Sequence, residues 1–303
     1  MENYFIINPV SGKGKSADYI PIIKENKENH IYVTSKKGEA ESFARSISSL
    51  GSEVSFFAVG GDGTLNEVIN GIAGYKNARA GIVPAGTGND FVRCFKNKER
   101  FRSINAQING TEIIMDTAEA IFDNRTGTNF INMANIGFDC NVVINTNTIK
   151  KKYASGSFAY ILGAVQEMAG NWGNDIRISF DDGYVYDNSQ LLCTIANGHY
   201  CGGGFCSSPY AELSDGYLDV AIVDKISKLK LISMLKGYRD KTYLKNSSAE
   251  GFITYKRTKN LMVELKNEQG VSIDGEIFYF RKAEFKIKRH SLRFILPAGA
   301  AFN

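Results

Sequence analysis

One short stretch constrains the fold of this sequence most: an apolar run that ends in a glycine turn and continues as a helix. The run covers residues 54–59 and is typical of a strand in a parallel sheet covered on both faces. The turn at residues 60–64 reads Gly-Gly-Asp-Gly-Thr. Apolar residues then recur at helical spacing, at Leu65, Val68, Ile69 and Ile72. This order predicts that backbone N–H groups at a helix start meet a bound anion.

The first 118 residues repeat the alternation of strand and helix. Strand-like runs at residues 4–8, 30–35 and 80–86 alternate with helix-like segments at residues 16–26 and 38–50. This rhythm predicts a doubly wound α/β domain built on a parallel sheet. Ligands of such sheets bind at the carboxyl ends of the strands, and the glycine-rich turns all follow strands. We therefore expect the site at that edge.

The rhythm changes after residue 118. Residues 119–292 hold short strand-like runs separated by turn signals, which predicts a mostly antiparallel β domain. Helical insertions are expected at residues 157–170 and 230–240. No linker rich in Pro or Gly marks the boundary, so the two domains are expected to pack closely. Residues 293–303 are expected to return to the first domain.

Composition narrows the function classes. A formal net charge of +4 over 303 residues does not suggest a dedicated nucleic-acid-binding protein. No run approaches the roughly 18 apolar residues of a membrane-spanning helix, and the start lacks the pattern of a signal peptide. The five cysteines, an odd number, fit a reducing compartment. We expect a cytoplasmic protein whose contact with a membrane is peripheral.

The loop after the first strand covers residues 8–16 and nearly fits two known phosphate-binding patterns. A P-loop needs glycine where Pro9 stands, so that reading fails. A dinucleotide fingerprint is met by the loop glycines and Ala17, but the second strand ends in Thr34 and Ser35 instead of the required acid. What remains is a polar, cationic loop that suits a triphosphate, with a solvated turn as the alternative.

Acidic residues follow three apolar runs, and they need an explanation if a phosphate binds there. Asp62 lies in the glycine turn, Asp90 lies in a second turn at residues 84–93, and Asp116 follows the next run. Asn89 or Asp90 could instead cap a helix. Three carboxylates that converge on phosphates would repel them unless a divalent cation lies between. The pattern therefore predicts Mg²⁺.

Four segments together carry a resemblance to a known family. With "NPVSGKGK", "GGDGTLNEV", "PAGTGNDF" and a later "IDGE", the chain resembles the soluble diacylglycerol kinase and sphingosine kinase family of lipid kinases, over nearly its whole length. The likeness is closest to the bacterial diacylglycerol kinase branch. NAD kinases and 6-phosphofructokinases share the Gly-Gly-Asp-Gly-Thr element, whereas the first loop and the "GTGNDF" turn are typical of the lipid kinases.

The resemblance implies a fold and an activity. The first 118 residues would form an ATP-binding catalytic domain like that of NAD kinase and diacylglycerol kinase, and residues 119–292 a β-sandwich that binds lipid. The activity would be transfer of phosphate from ATP with Mg²⁺ to a lipid hydroxyl, in particular from diacylglycerol to phosphatidic acid. The substrate would be met at the inner face of a membrane, and a homodimer remains open.

The resemblance also implies a nucleotide site at the matching positions. These positions are Asn8, Pro9, Val10, Ser11, Gly12, Thr34, Gly60, Gly61, Asp62, Gly63, Thr64, Leu65, Asn66, Glu67, Thr87, Asp90 and Asp116. The three aspartates resemble the family's aspartate–water–magnesium network. Lys13 and Arg93 would supply positive charge near the transferring phosphoryl group.

Further residues come from the second domain. Glu276, in "SIDGEIF", matches the family's proposed general base, and Asp274 is its neighbour; the alternative is an ordinary turn acid. Whether Glu276 or Asp62 is the base stays open at this point. The stretch "AELSDGYLD" resembles a structural magnesium loop with ligands Glu212, Asp215 and Tyr217, and the alternative there is a Ser-Asp-Gly turn.

Two other functions remain to be weighed against this one. The acceptor could be a different lipid alcohol or NAD, although the "GTGND" turn argues against an NAD kinase. A catalytically silent nucleotide-binding regulator would be expected to lack Asp62 or Glu276, and both are present.

Overall fold

The structure is a computed structural model that describes residues 2–123, 127–152, 173–231 and 251–303. The predicted helical insertion at 157–170, and the part of the second one at 232–240, lie outside the described residues. The chain forms two compact units. The first unit contains Met1–Thr117, Asn129–Ile131 and Lys288–Asn303, and the second contains Ala118–Thr128 and Asn132–Ile287.

The elements follow one another with short connections. The helices are α1 (Tyr19–Lys24), α2 (Glu39–Ser48), α3 (Asp62–Ile72), α4 (Ile104–Ile108) and α5 (Phe138–Lys152). Short 3-10 segments cover Ser11–Asp18, Phe91–Cys94 and Lys98–Arg102. The strands are β1 (Glu2–Ile7), β2 (Asn29–Val33), β3 (Val54–Gly60), β4 (Ala78–Pro84), β5 (Phe95–Lys96), β6 (Thr111–Phe122), β7 (Thr128–Phe130), β8 (Met133–Gly137), β9 (Asn174–Phe180), β10 (Val185–Ala196), β11 (Tyr200–Cys201), β12 (Phe205–Cys206), β13 (Leu218–Asp224), β14 (Ile253–Thr258), β15 (Asn260–Ile273), β16 (Glu276–Leu296) and β17 (Ala301–Phe302).

The first unit is built on a parallel sheet. Its strands run in the order β2-β1-β3-β4, and Phe294 of β16 pairs in parallel with Ala80 of β4. All seven residues of β3 are buried, as the continuous apolar run predicts for a central strand. This is the doubly wound α/β arrangement expected from the sequence, and it brings the carboxyl ends of β1, β3 and β4 to one edge.

Helices cover both faces of this sheet. The predicted apolar stripe of α3 is buried, at Leu65, Val68, Ile69 and Ile72. Gly71 lets α3 approach α2 closely, because a Cβ there would lie 2.5 Å from the carbonyl oxygen of Glu41. On the other face, α1 and α4 contribute Ile23 and Ile104 to a cluster with Phe5 and Phe57. Each such buried aliphatic side chain contributes roughly 1.5–3 kcal/mol. This packing holds the sheet edge and its loops in place.

The second unit is an antiparallel β-sandwich. Its strands run in the order β14-β13-β10-β8-β15-β16, and β9 pairs with both β10 and β15. The long strands β10 and β15 each pair with β9 over one part and with β8 over the other. Register shifts lie at residues 190–192 of β10 and 264–269 of β15, between those two parts. Such shifts bend a strand, so one strand can serve two layers.

A buried carboxylate lies at the start of α5. Asp139 is in the first turn of the helix, next to a core cluster that includes Phe138, Val142 and Leu191. Its Oδ2 is buried and accepts no hydrogen bond from the residues that the structure describes. Burial raises the pKa of the Asp139 carboxyl from 3.8 to about 6. The ionised form is therefore a cost to the fold at neutral pH.

Asp139→Asn is expected to remove a pH dependence of stability. Between pH 6 and pH 4 the native state holds a proton that the unfolded carboxyl releases, so the free energy of unfolding of the wild type rises as the pH falls through this range. At pH 7 the variant is expected to be more stable by up to about 3 kcal/mol, and its advantage should shrink towards pH 4. Urea unfolding at both pH values measures this. The same advantage at both would contradict the assignment, and Asp187→Asn, at an exposed carboxylate, is the control.

Candidate functional site

Three loops of the first unit meet at the carboxyl ends of β1, β3 and β4, and glycines allow the contact. A Cβ on Gly12 would lie 1.9 Å from the carbonyl oxygen of Ala85, and a Cβ on Gly86 would lie 2.5 Å from the Cα of Gly61. The N–H of Ala85 donates to the carbonyl oxygen of Gly60 at 2.7 Å. The backbones therefore pack directly against each other, and any larger residue would force them apart.

The first loop turns through three consecutive residues in the left-handed region. Gly12, Lys13 and Gly14 have φ values of 60°, 61° and 92°. Lys13 has a Cβ and adopts this conformation at an energetic cost, which is typical of functional loops. The hydroxyl of Ser16 donates to the carbonyl oxygen of Asn8 at 2.5 Å and ties the two ends of the loop together.

Asp62 joins the second loop to the third. Its Oδ2 accepts a hydrogen bond from the N–H of Asp90 and its Oδ1 accepts one from the N–H of Phe91, each at 3.1 Å. Loss of surrounding water raises the pKa of the Asp62 carboxyl, and the backbone N–H bonds oppose that rise. Asp62 also lies in the first turn of α3, where the helix dipole favours negative charge.

Two carboxylate oxygens lie near the position that a side chain at residue 88 would occupy, and Gly88 leaves that position unfilled. A Cβ on Gly88 would lie 3.3 Å from Oδ2 of Asp62 and 3.5 Å from Oδ2 of Asp90. Glycine leaves this space open to a ligand. Two carboxylate oxygens that face one gap fit a hard divalent cation with bound water. We name this feature, made by Asp62, Gly88 and Asp90, the carboxylate cradle.

Arg93 borders the carboxylate cradle. Its Nη2 donates to the carbonyl oxygen of Gly88 at 3.2 Å, and its Nε lies 3.4 Å from Oδ1 of Asp90. The guanidinium thus neutralises part of the negative charge there. Arg93 lies beside Asp90, one of the three predicted aspartates, and its predicted role near the transferring phosphoryl group stays a prediction.

Asp116, the third aspartate, is held by a different contact. It is fully buried in β6, and its Oδ1 accepts a hydrogen bond from the N–H of His290 at 2.6 Å. That it joins Asp62 and Asp90 in one metal network stays a prediction.

Several predicted nucleotide contacts hold the loops together in the structure. Nδ2 of Asn8 lies 3.4 Å from Oγ1 of Thr64. The N–H of Thr34 donates to the carbonyl oxygen of Ile7 at 2.9 Å. Val10, by contrast, is 79% exposed, so this part of the first loop faces solvent. Ser11 lies near Gly61 of the second loop.

The first turns of α3 likewise contribute to the fold. Leu65 is fully buried in the core. The side-chain amide of Asn66 donates to the carbonyl oxygen of Asn129, and Oε2 of Glu67 accepts from the N–H of Ala40 at the start of α2. These three residues were predicted as nucleotide contacts, and the contacts described here give each a structural role in addition.

Two cavities open at this edge of the first unit. One, of about 650 Å³, is lined by Gly12, Lys13, Lys15, Asp18, Tyr19, Ile22, Pro84, Ala85, Gly86, Thr87 and Arg102. The other, of about 390 Å³, is lined by Pro84, Gly86, Thr87, Gly88, Asn89, Val92, Arg93, Lys98, Glu99 and Arg102. They share four residues, including Thr87 and Arg102. Gly12, Lys13, Thr87 and Arg93 were predicted as site residues, and Lys15 belongs to the cationic first loop that the sequence suggested for a triphosphate. Lys98 and Arg102 were missed, because a short basic run usually indicates a solvated surface.

In the second unit, Asp274 and Glu276 lie at a tight hairpin. Ile273 pairs with Glu276, so the turn between β15 and β16 consists of Asp274 and Gly275, with φ values of 46° and 91°. Positive φ at both positions is the type I′ geometry, for which Asp-Gly is a preferred sequence. Glu276 is half-buried at the first position of β16. The turn thereby fixes the position of Glu276 within this unit.

Asn132 is a residue of this hairpin region that the sequence did not single out. Oδ1 of Asp274 accepts hydrogen bonds from the N–H groups of Asn132 and Met133, at 3.1 and 2.9 Å. The carbonyl oxygen of Asn132 accepts from the N–H groups of Asn197 and Gly198. Asn132 therefore joins the hairpin to the glycine-rich segment that follows β10. Only the long-range pairing of the strands creates this contact.

In the predicted structural magnesium loop, the carboxylate of Asp215 contacts a backbone N–H and a guanidinium group. Oδ1 of Asp215 accepts from the N–H of Tyr217 at 3.0 Å, and Oδ2 contacts Nη2 of Arg257. Glu212 is exposed. Among the described residues, no group of three or more His, Cys, Asp and Glu side chains is placed to hold a metal ion. Because Arg257 already neutralises Asp215, a cation at this loop would have to displace it.

Comparison with known proteins identifies the family of both halves of the chain. Residues 2–120 match the model described as diacylglycerol kinase catalytic domain, and residues 132–295 match the model described as YegS C-terminal NAD kinase beta sandwich-like domain. A relative from Pseudomonas aeruginosa, named probable lipid kinase YegS-like, is 31% identical over 90% of this chain and 86% of its own length. A diacylglycerol kinase from Staphylococcus saprophyticus is 32% identical over 89% of this chain and 87% of its own length.

A solved structure shares the fold. The crystal structure of a diacylglycerol kinase from Bacillus anthracis matches with a TM-score of 0.67 at 21% identity, over 98% of this chain and 97% of the other. At this identity the match supports the architecture of an α/β domain followed by a β-sandwich.

Gly12→Ala and Gly14→Ala form a matched pair that tests the packing of the loops. Both positions have positive φ, but a Cβ at Gly14 would meet no atom within 4 Å, whereas one at Gly12 would collide with Ala85. Gly14→Ala is expected to lower the free energy of unfolding by about 1 kcal/mol, and Gly12→Ala by roughly 2–4 kcal/mol. Urea denaturation of the two variants measures the difference. Equal losses would show that the contact with Ala85 is not a constraint.

Proposed function

This chain belongs to the diacylglycerol kinase family and is a lipid kinase, and we propose that it transfers the γ-phosphate of ATP to the hydroxyl of diacylglycerol with Mg²⁺ as the metal. The product is phosphatidic acid. The observation that carries the proposal is the carboxylate cradle at the carboxyl edge of the parallel sheet, beside the smaller of two adjoining cationic cavities, which Gly88 lines. Metal-binding oxygens next to phosphate-binding cations are what phosphoryl transfer requires.

The residues of the carboxylate cradle fit the metal. Asp62 and Asp90 are the residues that would hold Mg²⁺, because their Oδ2 atoms face the same gap above Gly88. When bound, the ion neutralises phosphate charge and so supports attack by a hydroxyl. Arg93 keeps the negative charge of Asp90 in balance when no ion is bound, through the contact at 3.4 Å.

The cavities support a nucleotide as donor. Lys13, Lys15 and Arg102 give the larger cavity positive charge, and Tyr19 and Ile22 give it aromatic and aliphatic surface. The positive charge suits a triphosphate, and the aromatic and aliphatic surface suits a base. Gly12 and Gly86 line this cavity, and their lack of a side chain lets the loops around it pack directly together.

We assign the general base to Glu276. Both oxygens of Asp62 already accept backbone N–H groups, which holds this carboxylate in a fixed position as a metal ligand and leaves it less able to meet an acceptor hydroxyl. Glu276 is held by the Asp274–Gly275 turn at a half-buried position, which suits a carboxylate that must meet a hydroxyl. Asp274 acts as a positioning residue through its bonds to Asn132 and Met133.

The acceptor also implies where the protein works. No helix among the described residues is long and apolar enough to cross a membrane. Diacylglycerol resides in membranes, so we propose peripheral contact with the inner face of one, by a cytoplasmic protein that does not bind nucleic acid. A homodimer is compatible with this proposal.

Phosphate transfer from γ-labelled ATP tests the reaction and the acceptor together. With Mg²⁺ and diacylglycerol in mixed micelles, label is expected in phosphatidic acid; sphingosine, NAD and a total lipid extract are offered in parallel. Asp62→Asn and Glu276→Gln are each expected to lower kcat by about a thousandfold or more, because they remove a metal ligand and the base. Asp187→Asn, at an exposed carboxylate, is the control with unchanged turnover.

Each result has a distinct meaning. Label in another extract lipid would move the acceptor, and label in NADP would overturn the lipid acceptor altogether. Glu276→Gln with near-normal turnover would exclude Glu276 as the base. No label with any acceptor would favour a silent nucleotide-binding regulator.

A further inference from the structure

The smaller cavity has a lining suited to one kind of ligand. Three cations face it, Arg93, Lys98 and Arg102, against one acid, Glu99. The hydroxyl-bearing Thr87 and the backbone of Gly86 and Gly88 complete the polar part of the wall. Guanidinium and ammonium groups around a small polar cavity match the charge and geometry of a phosphate group. Lys98 and Arg102 belong to none of the positions that the sequence resemblance implies.

The cavity connects directly to the carboxylate cradle. Arg93 lines the cavity and also donates to the carbonyl oxygen of Gly88 at 3.2 Å. Gly88 in turn lines the cavity on one side and separates the carboxylates of Asp62 and Asp90 on the other. A phosphate in this cavity would therefore meet the cations directly and would be next to Gly88 of the carboxylate cradle.

A distant part of the chain holds the cationic wall in place. Residues 298–303 run along residues 93–100, with Phe302 paired to Phe95 and Ala301 paired to Lys96. Side-chain hydrogen bonds add to this pairing. Nε of Arg100 donates to the carbonyl oxygen of Ala298 at 3.0 Å, and Nδ2 of Asn97 donates to that of Gly299 at 2.9 Å. We call residues 298–303 the strap.

The last residue of the strap bonds to the backbone of Arg93, which borders the carboxylate cradle. Nδ2 of Asn303 donates to the carbonyl oxygen of Arg93 at 2.6 Å, and the N–H of Asn303 donates to the carbonyl oxygen of Cys94. The ring of Phe302 packs 5.3 Å from that of Phe95. A wall held at several points keeps its charges at fixed positions, and small displacements of such groups cost much affinity.

We propose that the smaller cavity is a phosphate-binding subsite in which Lys98 and Arg102 contact the phosphate directly and the strap positions the wall that bears them. The inference rests on the proposed function for its ligand: the phosphate belongs either to the terminal part of the nucleotide or to the phosphomonoester of the lipid product. Both carry the same chemistry, and the test separates them.

Isothermal titration calorimetry with two soluble probes tests the subsite in the intact protein. Inorganic triphosphate represents the nucleotide phosphates, and dihexanoyl phosphatidic acid represents the product. Lys98→Gln and Arg102→Gln are each expected to raise the Kd for at least one probe by about tenfold, the effect of losing one charge-assisted hydrogen bond. Lys96→Gln removes the same charge two residues away, at an exposed position that lines neither cavity, and is expected to leave both Kd values unchanged.

Asn303→Ala separates positioning from general stability. It is expected to weaken binding of the same probe as Arg102→Gln. Asn77→Ala is its matched control: Asn77 also ties distant segments, through bonds to the carbonyl oxygens of Ser48 and Ser52 at 2.9 Å, but it lies outside the lining of both cavities. A similar fall in Tm for the two variants, with weaker binding only for Asn303→Ala, would support the role of the strap.

These binding measurements test the proposed subsite independently of lipid phosphorylation. Weaker binding of triphosphate alone assigns the subsite to the nucleotide, and weaker binding of phosphatidic acid alone assigns it to the product. Unchanged affinity for both probes in Lys98→Gln and Arg102→Gln would overturn the subsite, as would a wild-type protein that binds neither. If Asn303→Ala behaves like Asn77→Ala, the positioning role of the strap is wrong. Because no acceptor lipid is present, a failed transfer of phosphate to diacylglycerol leaves this result intact.

Discussion

The two hydrogen bonds that the Asp62 carboxylate accepts are the interaction on which the site depends. They fix the start of the segment after the third loop, at Asp90 and Phe91, relative to the start of α3. That single constraint brings the second carboxylate to the same side of Gly88 as the first, with Arg93 beside Asp90. Opposing effects act on the charge of this carboxylate. Loss of surrounding water raises its pKa, whereas the N–H groups and the helix dipole stabilise the ionised form. A bound divalent cation would further stabilise the ionised form of Asp62.

Much of this arrangement could be predicted from the sequence, because the signals are local. A continuous apolar run gave the buried strand β3, and a stripe at helical spacing gave α3, with four apolar residues that are all buried. The order of strand and helix then placed the glycine turns at one edge of a parallel sheet. The Asp-Gly turn before Glu276 was equally local, since positive φ at two adjacent positions favours that pair of residues.

The remaining features depend on contacts that leave no local pattern. The strap pairs with residues about 200 positions earlier, and nothing in either segment alone indicates the partner. Lys98 and Arg102 lie in a run rich in cations, and such runs usually face solvent, so only the path of the chain shows that they line a cavity. Asn66 and Glu67 illustrate the opposite case. The resemblance implies that they contact the nucleotide, which stays a prediction, and the structure shows that their side chains also bond to Asn129 and the start of α2, contacts that a matching position does not reveal.

The balance of charge explains why the cations and the carboxylates occur together. Five cations and two acids line the two cavities, an excess of three positive charges, while the cradle adds two carboxylates at the border. The cations alone would hold a polyphosphate firmly, and the carboxylates alone would repel it. With a divalent ion between them the carboxylates become attractive, so the nucleotide and the metal favour each other's binding. With the proposed metal in the carboxylate cradle, phosphate binding would depend on that metal, and the cations of the proposed subsite, with the strap positioning the segment that bears Lys98 and Arg102, would set how tightly the phosphate is held.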